Sequence, residues 1–173
     1  MVIPAGHSSA SAVLYATADA SKPTVENAAA SKVTATASIN GSPVTHDVRN
    51  LGHIKLAPRG NVLVRLEPAE ITIAPGQSVP ATLKIERHDF DNRVNFSVEN
   101  LPHGVIVDNI GLNGVLIREN ETERQVFLTA RSWVPEQSRQ AHAVGADAGG
   151  EASPPVWIHV RRPSTVAQAP AGQ

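Results

Sequence analysis

Apolar side chains in this chain recur at every second position and almost nowhere at helical spacing. In Ala81-Thr82-Leu83-Lys84-Ile85-Glu86-Arg87, the residues Ala81, Leu83 and Ile85 share one face and Thr82, Lys84 and Glu86 the other. Val94, Phe96 and Val98 alternate in the same way with Asn95, Ser97 and Glu99; Val126, Leu128 and Ala130 with Phe127, Thr129 and Arg131; Val156, Ile158 and Val160 with Trp157, His159 and Arg161. One wet and one apolar face per strand is buried by stacking antiparallel sheets in pairs, so the expected fold is all-β, an antiparallel β-sandwich. Only Val25-Glu26-Asn27-Ala28-Ala29-Ala30 favours a helix. It is too short to be stable alone and reads as a loop or single turn.

Turn chemistry divides the runs at the intervals such a fold needs. Asn40-Gly41 suits a tight type I′ hairpin because both residues tolerate positive φ. Pro75-Gly76-Gln77-Ser78, Leu101-Pro102-His103-Gly104 and Leu112-Asn113-Gly114 end further strands. Residues 62–162 then read as seven or eight strands, a common size for an immunoglobulin-like sandwich.

The chain also echoes itself. Val2-Ile3-Pro4-Ala5-Gly6 through Ala12-Val13-Leu14-Tyr15-Ala16 recurs as Leu116-Ile117-Arg118-Glu119-Asn120 through Val126-Phe127-Leu128-Thr129-Ala130. Val33–Ala37 recurs as Gln140–Val144, and Pro43–Val48 as Pro155–Val160. A period of roughly a hundred residues indicates tandem domains rather than a solenoid. The first copy lacks a counterpart to residues 62–115. The expected layout is therefore the C-terminal half of one domain plus a linker over 1–58, a complete domain over 62–162 and a disordered tail over 163–173. In that alignment His46 stands where Ile158 does, at an inward position.

Composition narrows the function classes. Net charge is -1 over 173 residues, and no basic cluster exceeds Arg161-Arg162, so a nucleic-acid partner is not expected. No apolar run reaches the roughly 20 residues that cross a bilayer, and no signal peptide is visible after Met1. Cysteine is absent, which removes disulfides and thiol chemistry. Aromatics are only 3%, so the core must be Val, Ile, Leu and Ala.

Two motifs carry a resemblance. Ile73-Ala74-Pro75-Gly76-Gln77-Ser78-Val79 resembles the strand start of bacterial immunoglobulin-like repeats, and Leu101-Pro102-His103-Gly104-Val105 is similar to their Leu-Pro-x-Gly-Val corner. Such repeats occur in large exported proteins of planctomycete type, sometimes beside pre-peptidase C-terminal or peptidase modules. The resemblance implies an extracellular or cell-surface module that acts as a spacer, adhesive or accessory unit. Its partners would be other domains of the parent protein, cell-surface proteins or glycans.

Candidate sites are few. Asp89, Asp91 and Asn92 lie in one polar loop, and with Asp108 they would supply oxygen ligands to a structural calcium ion if the two loops meet. The spacing Asp89-x-Asp91 starts like an EF-hand, but the glycine and glutamate that should follow are missing. The seven histidines, His7, His46, His53, His88, His103, His142 and His159, show no metal-binding spacing. His142 and His159 would pair only across neighbouring strands. Trp133 and Trp157 are candidates for stacking on a sugar. No Gly-x-Ser-x-Gly elbow, cysteine nucleophile or phosphate loop is present, so neither catalysis nor an organic cofactor is expected.

Overall fold

Strand β3 (Val62–Glu67) and its successor β4 (Glu70–Ile73) follow one another along the chain but belong to different sheets. The computed structural model describes residues 2–3, 8–9, 13–17, 19–52, 54, 60–108, 116–145 and 152–163. The expected turn at 112–114, the tail from 164 onward, His7 and His53 lie outside the described residues. The chain divides into two units, residues 16–59 and residues 60–173 together with 1–15.

In the longer unit, β5 (Ser78–Arg87), β6 (Val94–Glu99), β7 (Val105–Asp108), β8 (Leu116–Ile117), β9 (Glu123–Ala130), β10 (Gln137–Gly145) and β11 (Val156–Val160) follow β4. One sheet has the order β3-β5-β9-β7 and the other β4-β11-β10-β6-β8. All neighbours are antiparallel except β4 and β11, which run parallel with Ile71 opposite Ile158. The sequence did not signal this pair. It arises because β3 pairs with β5 in one sheet, whereas the chain beyond Pro68 joins the edge of the other.

The period-two pattern buries the residues it singled out, Val98 only in part. Leu83, Val94, Val126, Leu128, Ile158 and Val160 are completely buried, and Ala81, Phe96, Ala130 and Val156 nearly so. Inward residues of both sheets join a single apolar cluster. Between β4 and β5, the Gln77 N–H donates to Ala74 O at 3.0 Å and Gly76 has φ 80°, which fits Pro75 and Gly76 at the centre of a type II turn.

The shorter unit is built differently. Residues 25–30 form helix α1 (Val25–Ala30) rather than a loop, because Thr24 Oγ1 accepts the Asn27 N–H at 3.1 Å and so caps the first turn. β1 (Val33–Ile39) and β2 (Ser42–Arg49) form a hairpin closed by Asn40 at φ 52° and Gly41 at φ 81°, the type I′ chemistry the dipeptide predicts. Ala28 is the one buried residue among the described residues of this unit. His46 is therefore not inward. It is exposed opposite Ala35, on the face that also carries Val44, since no second sheet among the described residues of the unit covers that face. Ahead of this unit, residues 13–15, which belong to the longer one, are irregular rather than a strand, with Leu14 70% and Tyr15 56% exposed.

Stability should therefore depend on the two units very unequally. Leu128→Ala should cost about 2–5 kcal/mol by creating a core cavity. Val48→Ala on the hairpin should change stability by less than about 0.5 kcal/mol. Urea denaturation midpoints at unchanged slope check both.

Candidate functional site

Asp108 does not meet the loop of Asp89, Asp91 and Asn92 with which it was expected to form a calcium site. Asp108 lies opposite Phe127 in β9, and Phe127 lies opposite Pro80 in β5. The loop bearing Asp89, Asp91 and Asn92 begins after Arg87, seven residues further along β5, roughly 23 Å at strand rise. Among the described residues, no three His, Asp or Glu side chains are grouped to hold a metal.

An arginine organises that loop instead. Arg87 Nη1 donates to Phe90 O at 3.2 Å and to Asn92 O at 2.6 Å, and its Nη2 donates to Arg118 O at 2.7 Å. Its Nε and Nη2 both approach Glu121 O at 3.3 Å. The carbonyl oxygens that would solvate a cation are thus engaged by a fixed guanidinium. The facing turn is tightened by its own charges. The Arg118 N–H donates to Glu121 Oε2 at 3.0 Å and Arg124 lies beside the same carboxylate, so this group titrates below the usual range. Glu119 is lowered likewise, by its own backbone N–H and by Arg93 Nε at 3.0 Å.

Trp133 is 59% exposed, but the inner edge of its ring is a structural lid. A Cβ placed on Gly104 would stand 2.5 Å from Trp133 Cη2 and 2.6 Å from Val134 Cγ2. Gly104 also has φ 86°, so the Leu-Pro-x-Gly corner requires glycine for both reasons. His103 covers the tryptophan from the side, with ring centres 5.2 Å apart.

The outward face of the five-stranded sheet carries the densest side-chain chemistry. Alternation turns Trp157, His159 and Arg161 outward on β11, because Val156, Ile158 and Val160 point into the core. Cross-strand register then sets Trp157 between Glu70 on β4 and Gln140 on β10, and His159 between Thr72 and Ser138. His159 Nε2 lies 3.0 Å from Glu70 Oε1, and its Nδ1 lies 2.8 Å from Ser138 Oγ. Arg161 Nη2 donates to Ser138 Oγ at 2.6 Å. That hydroxyl has a second lone pair and its own hydrogen, so it can serve Nδ1 as acceptor or as donor, according to the ring's tautomer. The Trp157 and His159 rings stack at 5.8 Å with planes 10° apart.

Ser138, His159 and Glu70 thus have the connectivity of a nucleophile, base and carboxylate, with Nδ1 rather than Nε2 facing the hydroxyl. They lie on a strand face, where the neighbouring main-chain N–H groups are directed along the sheet ladder instead of toward a reacting oxygen. Alternation alone marks His159 and Glu70 as outward. Their contact depends on the parallel β4–β11 pair, which no local pattern predicts.

His142 and His159 do not form a pair. His142 stands opposite Glu99, four residues along β10 from Ser138, roughly 13 Å at strand rise. Its Nε2 is 3.8 Å from Glu99 Oε2, and its buried Nδ1 has no hydrogen-bond partner among the described residues. On the other sheet, an open depression of about 290 Å³ is lined by Leu63, Arg65, Lys84, Glu86, Thr122 and Glu123. Its charges are mixed, and Lys84 is paired with Glu67 at 2.8 Å. No protein-family model matches the chain, and no curated protein is found similar to it.

Two perturbations probe these corners. Arg87→Ala should cost about 2–3 kcal/mol, since several carbonyls lose a charged donor, and millimolar calcium should leave the melting temperature of the intact protein unchanged. Gly104→Ala should destabilise by more than about 2 kcal/mol, and adding Trp133→Ala should recover only part of it, because the positive φ and Val134 remain. Calorimetry on the single and double variants reads both effects.

Proposed function

We propose that this chain is a non-catalytic immunoglobulin-like β-sandwich module, preceded by the C-terminal half of a second copy, from an exported or cell-surface bacterial protein. Its work is spacing and protein contact, in some parents beside a peptidase unit. The strand order supports this reading. A four-stranded sheet β3-β5-β9-β7 matches the A-B-E-D order of immunoglobulin domains, and β11-β10-β6 matches G-F-C. β8 takes the place beside β6 that a C′ strand takes, although it follows β7 in the chain. For the partial copy, the support is the sequence echo of β10 and β11 in the β1–β2 hairpin.

The observation that carries the spacer reading is the parallel β4–β11 pair, reinforced by the Trp157 N–H to Ala69 O bond at 2.9 Å and the Arg161 N–H to Ile73 O bond at 3.0 Å. In a parallel pair the start of β4 and the end of β11 lie at opposite ends. Tension along the chain therefore loads these bonds together, in shear, rather than opening them singly. The chain has no cysteine, so handles can be placed uniquely. In force spectroscopy, the Asn61→Cys/Arg162→Cys variant should resist a higher force than the Lys84→Cys/Glu123→Cys variant, whose antiparallel pair opens from one end. Equal or reversed forces would count against a load-bearing spacer.

A further inference from the structure

We infer that the outward face of the five-stranded sheet binds a neutral pyranose, with Trp157 as the stacking surface and Glu70 and Gln140 as hydrogen-bonding arms. This goes beyond the spacer reading and does not rest on it. A pyranose offers a flat patch of C–H groups and a rim of hydroxyls that both donate and accept. Its recognition needs a flat apolar surface open to solvent, flanked by groups that can do the same.

Trp157 meets the first need. It is 43% exposed, and its immediate neighbours on that face, Glu70, Gln140 and His159, are polar. Register supplies the second. Glu70 and Gln140 are its direct cross-strand neighbours on either side, with Cβ atoms about 5 Å away, within reach of a ring resting on the indole. Both arms have capacity left. Glu70 is 72% exposed at its side chain and uses one carboxylate oxygen for His159. The Gln140 side-chain amide and the Trp157 indole N–H have no hydrogen-bond partner among the described residues.

The surface is also held ready. His159 stacks against Trp157 and is itself pinned by Ser138 and Glu70, so the indole orientation is restricted before any ligand arrives. Such preorganisation lowers the ordering cost of binding. The charges select against acidic sugars. Glu70 is the carboxylate directly beside Trp157, with one oxygen on His159, whereas the Arg161 guanidinium is drawn to the far end of β11 by Gln137 O, Val160 O and Ser138 Oγ. Trp133 lacks this setting, since its ring closes over Gly104.

A single stacking ring predicts weak binding, with a dissociation constant on the order of 1 mM for a short oligosaccharide. Trp133→Phe leaves Trp157 as the sole tryptophan reporter. In that background, fluorescence should be followed during titration with the tetrasaccharides of cellulose, xylan, mannan, chitin and amylose, and with tetragalacturonate as the acidic control. The expected result is saturable binding of at least one neutral sugar and none of tetragalacturonate. In the otherwise unaltered chain, followed by calorimetry, Trp157→Ala should weaken that binding about tenfold or more and Gln140→Ala several-fold. Trp157→Phe, which keeps a ring, should fall between, with an unchanged melting temperature showing that the sheet is intact. No saturable response to any neutral sugar would overturn the assignment. So would binding that survives Trp157→Ala, or a preference for the acidic control.

Discussion

Two sheets share one interior in the longer unit, and that interior is made almost wholly of Val, Ile, Leu and Ala. With aromatics at 3% of the chain, Phe96 is the single fully buried ring among the described residues. Small branched side chains fill this interior without bulky anchors, and the inward positions away from the strand ends are apolar. Polar chemistry is left to the outward faces. Both tryptophans are there, one closing a corner and one standing on an open sheet. The shorter unit shows the converse: a hairpin with sound turn chemistry and good register buries almost nothing. A two-stranded sheet of that kind is marginal in water by itself.

The parallel contact between β4 and β11 links the architecture to the proposed function. It exists because the chain leaves one sheet after Glu67 and joins the other after Ala69, so a single edge segment serves both sheets. The same contact brings Glu70 beside Trp157 and His159. The parallel edge on which the proposed spacer role rests and the side-chain cluster on the open face therefore have one structural origin. Displacing β4 would dismantle both.

Charge is deployed locally rather than as a field. Arg87 draws together the 88–92 loop and the 118–121 turn through main-chain oxygens, which makes the acidic character of the loop a poor guide to its ligand. The spacing of Asp89, Asp91 and Asn92 points to calcium through oxygen ligation. What overrode it was a cation already present in the sequence two positions earlier and the distance of Asp108 along the sheet. Histidines show the same limit. His142 and His159 were correctly placed on one face by alternation, but the register assigns each its own glutamate.

Secondary structure, buried positions and the hairpin turn were legible from local pattern, because strand alternation and positive-φ turn chemistry act within a few residues. Helix α1 was not, since its stability depends on the Thr24 cap rather than on periodicity. Sheet membership, the parallel edge, the clasp at Arg87 and the setting of Trp157 between Glu70 and Gln140 were decided only by the folded chain. Each depends on which strands become neighbours across many residues, and period-two alternation says which way a side chain points but not what stands opposite it.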